Sequence, residues 1–195
     1  LTLVLTAGTI YGGGFQVNEH GSRSSGMGGA FVSIANDPSA IFFNPAGILQ
    51  LRGTNIMLGT KLIMPQASFR GPSPTIQEWK TESQVFTPSH FYCTHSFNED
   101  LAVGLGFNNP YGLGTKWDDN WVGRFVAVKT RLRTFNFTPV VAYKISDNIM
   151  VSAGLIYSYA DVIITRKAEL SPFQGEAFVE LEGKETAAFG YTAGI

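Results

Sequence analysis

His90, Cys93 and His95 are the residues best suited to binding a metal ion, because imidazole and thiolate groups are preferred zinc ligands. A metal site requires ligands that converge on one point. Side chains alternate between the two faces of a β-strand, so Cys93 and His95 would share one face and His90 would lie on the other. We therefore predict no metal site in this segment.

Other patterns associated with catalysis are also missing from the sequence. Asp118 and Asp119 lie between Trp117 and Trp121, but adjacent carboxylates do not supply the spaced acid and base of a glycosidase. The glycine clusters lack the Gly-Lys-Ser/Thr ending of a phosphate-binding loop. The sequence indicates no Ser-His-Asp catalytic triad. The sequence thus predicts a protein that is not an enzyme and uses no cofactor.

The composition points instead to β-structure in a membrane. Of the 195 residues, 44% are hydrophobic, 13% are aromatic, only 15% are charged, and 22 are glycine. Soluble domains usually carry about 25% charged residues. The net charge of -1 excludes a nucleic-acid binder that works by bulk electrostatics. The single cysteine excludes a disulfide scaffold.

Three compositional regions divide the chain. Residues 1–14 are interpreted as the remnant of a signal peptide and its processing region, with a buried N-terminal strand as the alternative. Residues 15–52 are rich in Gly, Ser, Asn and Pro and lack a period of two, which predicts a compact plug with short helices. Residues 53–195 alternate between apolar and small or polar residues, as β-strands do.

The third region predicts about six strands. They are expected at 54–69, 83–97, 101–108, 130–145, 149–166 and 187–195.

The connections between these strands alternate in length. Tight turns at 98–100 and 146–148 separate long connections at 70–81, 109–129 and 167–186. Outer-membrane barrels have short periplasmic turns and longer external loops in this rhythm, and a tilted strand of about 10 residues crosses the bilayer.

Aromatic side chains add to this evidence. Phe69, Tyr157 and Tyr159 fall near predicted strand ends, as in an interfacial girdle. The fold predicted from these features is an all-β, transmembrane antiparallel β-barrel with a plug at its N-terminus.

Four motifs occur in a characteristic order: Gly14-Phe15-Gln16-Val17-Asn18-Glu19, Ser25-Gly26-Met27-Gly28, Asn44-Pro45-Ala46-Gly47 and Pro110-Tyr111-Gly112-Leu113. In this order they resemble the N-terminal half of the FadL-type long-chain fatty-acid transporters of the outer membrane. The resemblance implies a monomeric, 14-stranded barrel closed by an N-terminal hatch, in a Gram-negative bacterium. Because the chain has room for about six strands, it is expected to be an N-terminal fragment.

The resemblance also implies roles for particular residues. Phe15 would lie in an apolar ligand pocket, although generic packing in the plug is the alternative. Arg166, with Lys167 as a competitor, would pair with a fatty-acid carboxylate, although a solvated charge at the base of a loop explains either residue equally well. Asn44, Pro45 and Ala46 would couple the hatch to the barrel wall, and a simple surface turn is the alternative.

Asn108-Asn109-Pro110 ends the cleanest predicted strand, because proline cannot donate to the strand ladder. In the family this third strand kinks inward and leaves a gap in the wall, which would include Gly112. An ordinary strand end is the alternative.

The expected function is passive uptake of long-chain fatty acids or similar hydrophobic compounds. The ligand would leave through the gap into outer-membrane lipid, with no cofactor and no nucleic acid involved. The alternatives are an outer-membrane enzyme that modifies lipids and a structural or polar-solute porin.

Overall fold

The structure is a computed structural model that describes residues 16–18, 20–170 and 175–195. Phe15 and the proposed signal remnant at 1–14 lie outside the described residues. The hatch segment (15–52) carries short helices, which are α1 (Ser22–Gly26), α2 (Ala40–Phe43) and a 3-10 helix (Pro45–Gln50). Within the described ranges, no helix has the length and apolar character needed to cross a membrane.

Nine strands follow the hatch segment in the described part of the chain. They are β1 (Thr54–Thr60), β2 (Ser68–Arg70), β3 (Glu78–Lys80), β4 (Ser89–Ser96), β5 (Leu101–Asn108), β6 (Gly112–Lys116), β7 (Lys129–Ser146), β8 (Ile149–Glu169) and β9 (Glu176–Gly194).

These strands form one large antiparallel sheet and one small hairpin. The sheet has the order β1-β4-β5-β7-β8-β9, with β6 paired to β7 beyond the end of β5, and β2 pairs with β3 separately. All of these pairings are antiparallel. The all-β antiparallel fold predicted from the sequence is confirmed, and six long strands form its main path.

The two faces of the sheet differ sharply. The inner face, defined as the face that contacts the hatch, presents buried Tyr92, Ala102, Val140 and Ala142. The outer face presents large apolar side chains to the surroundings, and Leu58 there is 78% exposed. Exposure of a continuous apolar face to water is unfavourable, whereas its contact with the hydrocarbon of a bilayer is favourable.

The hatch packs closely because the inner wall is built with glycine. Ile41 of α2 lies over β5, where a Cβ at Gly104 would lie 2.8 Å from Ile41 Cδ1 and a Cβ at Gly106 would lie 2.8 Å from Ile41 Cγ2. A larger residue at either position would require the Ile41 side chain to shift. Phe31 and Ile48 complete the same buried cluster.

Several strand boundaries expected from the sequence are wrong, and the strand predicted at 83–97 begins only at Ser89. The connection predicted at 167–186 is mostly strand, because β8 continues to Glu169 and β9 begins at Glu176. Both faces of this extension carry charged residues, so hydrophobic alternation fades although the ladder continues. Tyr157 and Tyr159 therefore lie in the middle of β8 and not near its end.

The first predicted strand, 54–69, is also too long. β1 ends at Thr60, and only an isolated bridge between Ile63 and Phe86 continues its register with β4. Pro65 follows, and its missing N–H stops further pairing. Phe69 belongs to the separate β2–β3 hairpin.

Candidate functional site

The wall of the sheet is interrupted where β5 ends at Asn108. The chain leaves the ladder at Asn109 and Pro110. It then forms β6, which pairs with the N-terminal part of β7. Proline has no N–H to donate, so the β5 ladder cannot extend through this position. Asn108, Asn109, Pro110 and Gly112 thus surround one kink in the third long strand.

Asn109 holds the kink open by bonding to both flanking strands. Its Oδ1 accepts a hydrogen bond of 2.9 Å from the Ser89 amide of β4. Its Nδ2 donates at 2.7 Å to the carbonyl oxygen of Thr134 in β7. The side chain therefore satisfies backbone groups that the missing piece of β5 would otherwise pair.

Thr134 fixes the far side of the same kink. Its Oγ1 accepts from the Tyr111 amide at 2.9 Å and donates to the Tyr111 carbonyl oxygen at 2.7 Å. The irregular segment at 109–111 is therefore bonded to both neighbouring strands, to β4 through the Asn109 side chain and to β7 through Asn109 and Tyr111, which makes the kink a built feature of the wall.

A cavity of about 570 Å³ occupies the interruption. Most of its lining is apolar, and its apolar members include Val17, Ile63, Val85, Phe86, Leu132 and Phe135. The ring of Phe86 occupies the space above Gly114, where a Cβ would overlap it. A space of this volume and lining suits a hydrophobic small molecule.

The start of the hatch is bonded to the kink. The Val17 amide donates to the carbonyl oxygen of Pro110 at 2.7 Å, and Gln16 forms an antiparallel bridge with Tyr111. Movement of the hatch N-terminus would therefore be transmitted directly to the edge of the cavity.

Asn44 bonds the hatch to the other edge of the sheet, at the end of β9. Its Nδ2 donates to the carbonyl oxygen of Ile195 at 2.9 Å and to that of Val32 at 3.3 Å. Its Oδ1 caps the 3-10 helix by accepting from the Ala46 amide at 3.3 Å. Pro45 occupies the first helical position, and both Pro45 and Ala46 are buried.

A buried histidine pair lies between the hatch and the wall, and no motif in the sequence predicts it. His20 is 1% exposed, packs against Phe42 at 4.2 Å between ring centroids, and faces the ring of His90 at 6.3 Å. Burial lowers the pKa of His20 to about 4; His90 adds to the shift, and a hydrogen bond with the Val17 backbone opposes it. His20 is therefore neutral at pH 7.

His90 lies on the inner face of β4. Its ring fills the space above Gly59, where a Cβ would lie 2.7 Å from the His90 Cε1. Cys93 and His95 alternate onto the other face, where His95 Nδ1 lies 2.8 Å from Thr54 Oγ1. In the ranges that the structure describes, no three His, Cys, Asp or Glu side chains cluster as metal ligands.

Arg166 and Lys167 lie apart from the cavity, on opposite faces of β8. Arg166 belongs to the same alternating series as Ser152, is exposed, and forms no ion pair with the described residues. Lys167 Nζ lies 3.0 Å from Glu176 Oε2 and donates at 3.2 Å to Asn120 Oδ1. Lys167 therefore anchors the 117–128 loop to the base of β9.

That loop carries a compact aromatic cluster. Trp117 stacks on Trp121 with 4.3 Å between ring centroids, and Phe69 meets Trp121 edge-on at 5.8 Å. Trp121 Nε1 donates to the Ala127 carbonyl oxygen at 2.7 Å. Asp118 caps the local turn by accepting from the Asn120 amide at 2.8 Å, which gives this carboxylate a structural role.

Comparison with protein families places the chain within a known group. The family described as "Outer membrane protein transport protein (OMPP1/FadL/TodX)" matches residues 3–195. The chain belongs to this family. The family is one of outer-membrane proteins of Gram-negative bacteria, and this chain is accordingly an outer-membrane protein.

Individual relatives agree with the family assignment. The chain is 31% identical over 138 residues to the 47 kDa outer membrane protein of Pasteurella multocida, covering 69% of this chain and 32% of that protein. It is 28% identical over 175 residues to the long-chain fatty acid transport protein of Escherichia coli K12, covering 86% of this chain and 38% of the relative. The chain thus spans between 32% and 38% of the length of these two relatives.

A solved structure shows the same fold. The FadL homologue of Pseudomonas aeruginosa superimposes with a TM-score of 0.74 over 93% of this chain and 49% of that chain, at 21% identity.

Proposed function

We propose that this chain forms the hatch and the first part of the wall of a monomeric barrel that passively transports long-chain fatty acids or similar hydrophobic compounds across the outer membrane. The observation that carries the proposal is the apolar cavity at the kink after β5, bonded directly to the start of the hatch. No covalent chemistry and no cofactor take part.

The route of the ligand follows from the positions of the hatch, the sheet and the cavity. The hatch covers the inner face of the sheet and would block the lumen, so a ligand that reaches the inside needs another exit. The interruption at Asn108–Gly112 offers one sideways, toward the lipid that contacts the outer face. An apolar ligand gains about 0.8 kcal/mol per buried methylene, which makes lipid a favourable destination.

Two groups of residues have distinct roles in this proposal. Phe15 and Arg166 hold the ligand inside the barrel, Phe15 by apolar contact and Arg166 through the carboxylate. Asn44, Pro45 and Ala46 connect hatch movement to the wall.

Uptake by living cells tests the proposal. In a strain that lacks the gene, the full-length protein should restore uptake of a labelled long-chain fatty acid but not of a small sugar. Restored sugar uptake would favour a polar-solute porin, and no restoration at all would contradict a transport role.

The ligand-binding residues have a matched pair of variants. Arg166→Gln should weaken fatty-acid binding by the full-length protein, because it removes the charge that pairs with the carboxylate. Lys167→Gln is the control, since Lys167 already pairs with Glu176. A larger effect of Lys167→Gln would move the carboxylate role to Lys167.

A further inference from the structure

Two arginines on β7 share one buried carboxylate. Arg133 Nε donates to Asp161 Oδ2 at 3.0 Å, and Arg133 Nη2 donates to Asp161 Oδ1 at 3.1 Å, while Asp161 itself is 4% exposed. Arg131 Nη2 lies 3.8 Å from Asp161 Oδ1, which is too long for a hydrogen bond. One negative charge therefore faces two positive charges.

Arg131 also has an unused donor. Its Nε is buried and has no hydrogen-bond partner in the part of the chain that the structure describes. A buried N–H without an acceptor costs free energy, so this donor favours any anion that reaches it. Lys184, the register partner of Asp161 on β9, adds a further cation, and Glu182 on β9 makes no ion pair with either arginine.

The two arginines border the cavity in the wall. Gly112 pairs with Arg133 and Gly114 pairs with Arg131, and cross-strand partners project from the same face of a sheet. The Phe86 ring lies over Gly114, so it lies on the same side of β6 and β7 as the Arg131 side chain. Both arginines and Phe86 belong to the cavity lining.

Aromatic rings lie next to the arginines along the same face. Phe135, two residues from Arg133, stacks with Phe107 at 6.1 Å and contacts Tyr159 at 6.0 Å between ring centroids. In membrane barrels aromatic rings are enriched at the level where hydrocarbon meets the headgroups, and a strand that extends beyond the membrane carries this level within its length. The arginines lie next to the row, which is where the polar end of a lipid would fit.

We infer that Arg131, oriented by Asp161 and Arg133, binds the carboxylate of a fatty acid while its chain occupies the apolar cavity and passes into the outer leaflet. The inference rests on the proposed function for its choice of ligand. Arg131 Nε supplies the free donor, Arg133 supplies a second positive charge, and Phe86 and Phe135 contact the chain. The site lies on the exit side of the wall, and neither Phe15 nor Arg166 takes part in it.

Local crosslinking separates this site from any other ligand position. The full-length protein in a nonionic detergent at pH 8, where a carboxylate is ionised, is mixed with laurate or dodecanol that each carry a diazirine on the chain. Crosslinks are mapped by mass spectrometry to the segment 85–88. Arg131→Gln should lower the laurate crosslink at 85–88 by about fivefold or more, with the dodecanol crosslink changed by less than about twofold.

Two further variants control the measurement. Lys129→Gln removes a charge from the same strand and the same face outside the cavity lining, and it should leave both crosslinks unchanged. Arg131→Lys should retain part of the laurate crosslink, because it keeps the charge. Equal loss of both crosslinks in Arg131→Gln, no loss of either, or no laurate crosslink at 85–88 in the parental protein would each overturn the inference.

Uptake by cells fails or succeeds independently of this result. If the parental protein restores uptake but its crosslink at 85–88 does not depend on Arg131, the inference fails and the proposed function stands. If uptake is not restored but the crosslink depends on Arg131 and on the carboxylate, the proposed function fails and the anion site stands.

Discussion

The amide of Val17 donates a hydrogen bond of 2.7 Å to the carbonyl oxygen of Pro110. This bond links the start of the hatch to the residue that ends pairing along β5. The hatch and the gap in the wall are therefore mechanically connected, and a change at one is expected at the other. Further along the hatch, Asn44 is bonded to Ile195, the residue that follows β9.

Asn44→Ala should loosen the hatch without unfolding the barrel. The variant loses the bonds to Val32, Ile195 and the Ala46 amide, and unpaired partners cost about 1–3 kcal/mol. Hydrogen exchange of the hatch in the full-length protein should quicken, while heat unfolding of the barrel stays constant. Gln50→Ala is the control, because Gln50 bonds only within the hatch, to the Ile34 carbonyl oxygen at 3.1 Å. Equal acceleration in both variants would show that Asn44 has no special role in docking.

Gly47→Ala should disrupt the hatch from within. A Cβ at Gly47 would overlap the carbonyl oxygen of Ala35 and lie 2.9 Å from the Ala35 Cβ. Ala35 already has a positive φ of 32°, so it has little freedom to move away. Limited proteolysis should cut the hatch of Gly47→Ala faster than that of Gly26→Ala, where a Cβ meets nothing within 4 Å. Identical cleavage rates would show that the close packing at Gly47 does not hold the hatch.

Acid should weaken hatch docking through His20. The pKa of His20 is about 4 in the docked state and near 6.5 once the ring is exposed, so the released hatch binds the extra proton. Docking is then fully stabilised above about pH 6.5, and that stabilisation is lost progressively as the pH falls toward 4. Lys61, Asp37 and Tyr92 are other titratable groups near the pair formed by His20 and His90.

Hydrogen exchange of the hatch at pH 7 and pH 5 measures the effect, after correction for the intrinsic exchange rate. His20→Phe keeps an aromatic ring against Phe42 and should remove much of the pH dependence. The same dependence in His20→Phe would assign the effect to other groups.

Much of the strand pattern was predictable from the sequence because membrane strands alternate strictly. β5 matches its predicted range, 101–108, and the turns at 98–100 and 146–148 separate adjacent strands. Asn98 explains the first turn, since its Oδ1 accepts from the amides of Asp100 and Leu101, each at 2.8 Å. The C-terminal end of β8 and the N-terminal part of β9 were not predicted, because hydrophobic alternation weakens where both faces of a strand carry charged residues.

The candidate site was only partly predictable. Proline chemistry indicated the kink at Pro110, whereas the bonds of Asn109 to Ser89 and Thr134 depend on which strands become neighbours. The contact of Arg133 with Asp161 likewise depends on the register of β7 and β8, which no local pattern encodes.

The orientation of the barrel can be tested by cysteine labelling. The 117–128 loop should be external and the turn at Asp147 should be periplasmic. In a full-length Cys93→Ser background, an impermeant maleimide should label Asp119→Cys on intact cells. Asp147→Cys should react only after the outer membrane is opened. Labelling of Asp147→Cys alone on intact cells would reverse the assigned orientation.

In the proposed function, ligand leaves through the interruption held open by Asn109 and Pro110. The most direct test is fatty-acid uptake by cells that carry the full-length Asn109→Val/Pro110→Val double variant, which can extend the β5 ladder and narrow the gap. Pro139→Val is the matched control, because it removes a proline from the middle of β7, paired with Leu105 and away from the gap. With equal amounts of each protein at the cell surface, uptake by the double variant should fall close to that of cells without the protein. The control should transport normally, and fatty-acid binding by the double variant should fall much less than its transport. Parental rates of uptake in the double variant would contradict lateral exit at this kink.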